Sequence, residues 1–274
     1  MTTLELLSLD FVQATLIACA LLGVLSGVMA PLIVLRQMSF SVHATSELAL
    51  MGASAALLTG INVGLGAIVG AVVAAVVLAA LGLKGQQDSA VGVVMSFGMG
   101  LSVLFIHLYP GNANRALALL TGQIVGVTGQ DLVLLGLTTA LVAGAVVVLW
   151  RPLLFASADP EMAAAAGVPV KAMALTFAVL VGVASAQSVQ IVGALLVMSL
   201  LITPGAAAAQ ITANPKLAVL YSVIFAEVAA VGGMILSLAP GVPVSVFVAF
   251  ISFGIYLVCR IIGRHGSRRV PRRP

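Results

Sequence analysis

Charge is what this chain has least of. Only 7% of its 274 residues are Asp, Glu, Lys or Arg, where an ordinary soluble domain carries about 25%. Hydrophobic residues make up 62%, and the mean hydropathy is +1.24. A core of this size cannot hide so much apolar surface from water, which excludes a soluble globular fold and leaves the bilayer as solvent. The alternating pattern of a barrel strand is missing as well. The apolar runs are long and rich in Ala, Leu, Val and Gly, and in lipid each backbone amide must be satisfied within its own segment. The chain therefore reads as an all-α, polytopic membrane helical bundle.

Other absences narrow the chemistry. There are two cysteines, Cys19 and Cys259, both inside apolar runs and without CxxC spacing, so they read as small buried hydrophobes and say nothing about redox compartment. No G-x-x-x-x-G-K-[ST] occurs, nor any Gly-Lys pair, so a nucleotide site driving this protein would have to sit on another polypeptide. A second His at zincin spacing, a Gly-x-Ser-x-Gly and an Asp pair are all lacking, which argues against an intramembrane enzyme. The ten methionines form no M-x-x-M array of the kind a copper path would use. The N-terminus has acidic early charges, Glu5 and Asp10, and no basic start or A-x-A-like site. Its first apolar run, 11–35, is too long for a signal core and is expected to span.

About nine spans are expected, at roughly 11–35, 41–59, 61–83, 89–109, 131–150, 171–187, 190–209, 216–237 and 242–260. The Gly-broken stretch 115–128 is expected to be re-entrant or interfacial. With the N-terminus outside, Arg36, Lys84, Arg151, Lys171, Lys216 and the six arginines from Arg260 to Arg273 fall on the cytoplasmic side. Only Arg115 stays outside. The tail RIIGRHGSRRVPRRP, including His265, reads as a positive-inside anchor with a disordered end rather than a nucleic-acid arm. Gly23-x-x-x-Gly27 and Gly66-x-x-x-Gly70 are small-residue patterns that permit close helix approach.

The cytoplasmic loop RPLLFASADPEMAAAAGVPVKA, residues 151–172, carries its own helix signals. Asp159 can cap, Pro160 fits the first turn, Glu161 suits the positive dipole end, Gly167 stops the helix and Pro169 prevents a restart. A helix of about two turns results, too short to span. By itself it is either a connector lying on the headgroups or a docking helix for a cytoplasmic partner.

Ionisable groups inside the spans are few. His43 and Glu47 stand four apart in SVHATSELAL, on one helical face with Cβ atoms about 6 Å apart. An ionised group in a membrane helix costs about 2.5–3.5 kcal/mol, so both should face the bundle or a cavity. An imidazole nitrogen and a carboxylate oxygen together suit one divalent ion, zinc or manganese. Alternatively the two side chains pair with each other, or Glu47 pairs with Arg36. Glu227 sits in mid-span without a basic neighbour, either as a second metal contact or as a structural bond to another helix. His107 stands at the outer mouth, either as a gate ligand or as an interfacial histidine beside Tyr109. Gln187 and Gln190 are expected to satisfy backbone at a tight outer turn.

Four stretches together resemble the permease subunits of ABC importers for zinc, manganese or iron. They are VLRQMSFSVHATSELALMGASAALL (34–58), QQDSAVGVVMSFGMGLSVLFI (86–106), DPEMAAAAGVPV (159–170) and VGALLVMSLLITPGAAAAQI (192–211). The resemblance implies a single transmembrane permease domain over 1–262, a basic cytoplasmic tail over 263–274 and a coupling helix at about 159–167. It implies a homodimer with two cytoplasmic ATP-binding subunits below and an extracellular or periplasmic metal-binding protein above. No permanently bound cofactor is implied; the divalent metal is the transported substrate, and ATP is hydrolysed by the partner, so this chain is not itself an enzyme. Asp159, Glu161 and Gly167 match the family's coupling positions, and the 43/47 face becomes the expected ion path. With Met38-Ser39 and Gly52 aligned to the family, His43 stands where its acidic residue is usual and Glu47 where its histidine is usual. Met51 replaces the family's proline. The competing expectation is a proton-coupled secondary transporter that uses Glu47, Glu227 and His43 as a relay and needs no ATPase.

Overall fold

The computed structural model describes residues 9–82, 87–112, 119, 127–193, 197–238 and 242–267. Among these the chain forms twelve helices and no strand. In chain order they are α1 Asp10–Leu35, α2 Ser39–Thr59, α3 Val63–Gly82, α4 Gln87–Leu108, α5 Gly129–Val148, α6 Trp150–Ala158, α7 Pro160–Ala165, α8 Val170–Val192, α9 Val197–Leu201, α10 Thr203–Ile211, α11 Pro215–Ser237 and α12 Val244–Ser267.

Local chemistry sets many of the ends. The α1 helix closes over Arg36 with Gln37 in the left-handed region at φ 54°, where the Gln37 and Met38 amides donate back to Val34 and Ile33. Gly60 ends α2 at φ 76°. A capping box of Thr128 and Asp131 opens α5.

Six helices are long and apolar enough to cross a membrane by length and composition: α1, the Val91–Leu108 part of α4, α5, the Val170–Val189 part of α8, α11 and the Val244–Arg264 part of α12. This is fewer than the nine expected. The α2 helix stands where the second span was expected, but its His, Glu, Ser and Thr residues dilute its apolar character. The described apolar part of α3 is the shorter stretch Val63–Leu78.

The expected span 190–209 is not one helix. No Gly or Pro stands between Gly182 and Gly193, so α8 runs on through Gln187 to Val192. The apolar run that follows breaks between α9 and α10 at Ile202, just before Pro204, whose ring cannot donate the helical hydrogen bond. The expected re-entrant stretch 115–128 lies outside the described residues except for Leu119, Val127 and Thr128. The positions of Lys84, Arg115 and the arginines beyond Ser267 also lie outside them; α12 itself continues as helix to Ser267.

Two packing groups share one core. The α2 helix packs on α3, α4 and α8, while α1 packs on α11, α10 and α5, with α12 against α10 and α11. Their joint core includes Leu22, Met29 and Ile33 of α1, Phe177 and Val181 of α8, and Met234 of α11. Outward faces carry large apolar side chains instead of charge: Val93 and Phe97 on α4, Val133, Leu137 and Leu141 on α5, Phe250 and Phe253 on α12. Such stripes belong against hydrocarbon.

Both small-residue patterns sit at helix crossings. A Cβ on Gly70 would lie 2.5 Å from the Leu48 carbonyl oxygen and 2.9 Å from the Gly52 Cα, so α2 and α3 touch backbone to backbone. Gly27 meets the Val223 backbone on α11, and a Cβ on Gly23 would lie 2.8 Å from the Glu227 carboxyl carbon.

Candidate functional site

The α2 helix begins at Ser39, so His43 stands one turn in and Glu47 about two, roughly 12 Å along the axis at 1.5 Å per residue. His43 is half-buried, and Glu47 is only 2% exposed. Nδ1 of His43 and Oε1 of Glu47 are both buried without a hydrogen-bond partner. Buried polar atoms are normally satisfied, so two unsatisfied ones a turn apart on one face stand out. The neighbouring hydroxyls are occupied elsewhere: Thr45 donates to the Ser41 carbonyl at 2.7 Å and Ser46 to the His43 carbonyl at 2.7 Å.

Arg36 does not turn toward Glu47. Its Nε donates to the Ser157 hydroxyl at 2.6 Å, and its Nη2 donates to the Leu153 carbonyl at 3.3 Å. The guanidinium also lies over the Phe177 ring, 4.5 Å from its centroid. Burial lowers its pKa from the usual value.

The other candidates are placed apart. Glu227 is half-buried on α11, against Gly23 of α1, with Oε1 buried and without a partner. His107 is exposed in the last turn of α4, where the helix dipole favours a cation. Among the described residues no three His, Cys, Asp or Glu side chains converge on a common point. Neither Glu227 nor His107 therefore joins His43 and Glu47, and one copy of the chain offers a two-ligand face.

Gln187 was missed as a candidate. The turn expected around it is absent, and the residue is 1% exposed within α8, with both Oε1 and Nε2 unpartnered. Its helix packs on α2 and α3. The signal available in the sequence was the lack of any Gly or Pro between Val183 and Val192.

The α7 helix forms as its residues dictate. Asp159 caps α7, its Oδ1 accepting from the Met162 amide at 2.9 Å, with Pro160 in the first turn. Gly167 ends the turn at φ 84°. Ala163 is fully buried, while Asp159, Glu161, Ala164 to Gly167 and Met162, 60% exposed, face outward. One side is thus anchored to the bundle, and the other offers two carboxylates, a methionine and a low surface of alanines.

The family model of the ABC 3 transport family matches residues 8–263. The chain belongs to that family. It is 28% identical over 238 residues, 85% of this chain and 80% of the relative, to the manganese transport system membrane protein MntC of Halalkalibacterium halodurans. It is 32% identical over 203 residues, 72% of this chain and 71% of the relative, to the manganese import system permease protein ScaB of Streptococcus parasanguinis. It is 27% identical over 219 residues, 78% and 84% of the two chains, to the high-affinity zinc uptake system membrane protein ZnuB of Haemophilus influenzae. Among solved structures, PsaBC from Streptococcus pneumoniae in complex with Fab superposes with TM-score 0.85 at 25% identity, covering 94% of each chain.

Proposed function

We propose that this ABC 3 family chain is the membrane-spanning permease subunit of an ATP-driven importer of manganese or zinc. The observation that carries the reading is the match of the family to residues 8–263, since it takes in the ion-path helix and the cytoplasmic helix together. The chain is a multi-pass protein of the cell membrane, with its N-terminus outside and its C-terminus cytoplasmic. It carries no phosphate-binding loop of its own, so ATP is hydrolysed by a separate subunit docked on Asp159, Glu161 and Gly167.

The ion passes His43 and Glu47. A second copy of the chain about a shared axis brings two histidines and two carboxylates around one ion, a set that completes the pair offered by one copy. Neutral imidazole is a borderline ligand that suits zinc and carboxylate a hard one that suits manganese, so the mixed pair serves both. Such ligands strip water from the ion in a closed state and release it when the copies separate. An extracellular metal-binding protein delivers the ion, and ATP binding and hydrolysis move the permease pair between outward-open and inward-open states.

The test is expression with candidate ATPase and binding-protein partners, co-purification, and uptake of labelled manganese and zinc into proteoliposomes. The ATPase is expected to co-purify with the wild type and to be lost from an Asp159→Lys, Glu161→Lys double variant that still inserts. Uptake that needs a proton gradient and no ATPase would overturn the reading.

A further inference from the structure

We propose that Arg36 is the positioning residue that carries movement of the docking helix α7 to the ligand-bearing helix α2. The inference rests on the importer reading above.

The guanidinium touches the elements on both sides of α7. Ser157 and Leu153 lie one turn apart on α6, and a single residue, Asp159, separates α6 from α7. The Ser157 hydroxyl also donates to the Leu153 carbonyl, so both acceptors of Arg36 belong to one local knot. Phe177, fully buried, stands on α8, which α7 reaches through the short turn Ala166–Pro169. A force on α7 therefore passes through short, capped connections to side chains that Arg36 holds.

The connection on the far side is as short. Only Arg36, Gln37 and Met38 lie between α1 and α2. The turn is closed by amides of Gln37 and Met38 bonded to Val34 and Ile33, and the Met38 carbonyl accepts the first helical bond of α2 from Val42. There is no slack loop to absorb a shift. A displaced Arg36 displaces Ser39, and with it His43 and Glu47 one and two turns further on.

The nature of the contact suits transmission. All three partners are neutral: a hydroxyl, a carbonyl and a ring face. Arginine holds such a set with a planar fork and stacks on the ring at the same time, which a lysine ammonium cannot do. Besides the direct packing of α2 on α8, the Arg36 side chain bonds to residues 117 and 121 positions further along the chain.

The experiment uses the whole complex in proteoliposomes, with ATP hydrolysis and uptake of labelled manganese and zinc measured together. Arg36→Ala is expected to retain the co-purified ATPase and its hydrolysis, while ions imported per ATP fall at least about fivefold, the low end of ordinary coupling between two sites. Arg36→Lys should restore only part of that ratio. Should Arg36→Ala fail to accumulate, Ser157→Ala and Phe177→Leu carry the same test, each expected to lower the ratio. An unchanged number of ions per ATP, in Arg36→Ala or in both substitute variants, overturns the inference. Absence of any ATPase from the wild-type preparation overturns the importer reading instead, so the two failures are distinguishable.

Discussion

Glu47 and Glu227 are both carboxylates within an apolar bundle, and both have an Oε1 buried without a partner. Their surroundings differ. Glu47 has His43 one turn earlier on the same face, in a helix packed on α3, α4 and α8. Glu227 has Val223 one turn earlier and Val231 one turn later, and its carboxyl lies against the Gly23 position of α1. Burial makes a carboxylate costly in either place. On the proposed reading, what sets Glu47 apart is the imidazole of His43 on the same helical face. Glu227 reads as a group accommodated at a helix crossing, held where glycine leaves room for it.

The sharpest way to break this comparison is to neutralise each group without changing its shape. Glu47→Gln is expected to lower manganese or zinc uptake by about 100-fold or more, above the 10- to 100-fold typical of losing an outer-shell partner. Glu227→Gln should cost less than about fivefold, the effect of roughly 1 kcal/mol. Equal losses would place both groups on the ion path. Next in size are the glycines at the two crossings. Gly70→Ala forces a methyl onto backbone of α2 and should destabilise by about 1–3 kcal/mol, read as a lower unfolding temperature in detergent. Gly23→Ala meets the flexible end of Glu227 and should cost less.

Gln187→Leu comes third. It removes two unpartnered buried polar atoms and should leave stability unchanged or raise it by about 1 kcal/mol. A clear loss of stability would show that the carboxamide is bonded in the assembled transporter. Smallest in its functional effect is Gly167→Ala, which meets no neighbour but strains a left-handed turn by about 1–2 kcal/mol. It should weaken ATPase co-purification only slightly, far less than the charge reversals at Asp159 and Glu161.

Much of this was legible where local rules decide. Asp159, Pro160 and Gly167 announced α7, because caps and stops act over a few residues. The 43/47 spacing announced a shared face for the same reason. The span count was less legible. In lipid, hydropathy reports solvent compatibility and not which helix packs against which, so the run broken at Ile202 escaped it, while α2 forms where the segment 41–59 was expected. The turn expected at Gln187 is absent because no Gly or Pro breaks the chain between Val183 and Val192. The partners of Arg36 were out of reach, since only the fold brings Ser157 and Phe177 to it.

The contact between α2 and α3 has a further consequence. Leu48, Gly52 and Ala56 form the edge of α2 that meets Gly66 and Gly70, while His43 and Glu47 sit about 160° around the helix from it. The chemistry and the joint are thus written on separate letters of the same helix. Substitutions at 43 and 47 can therefore alter the polar face of α2 without disturbing the joint.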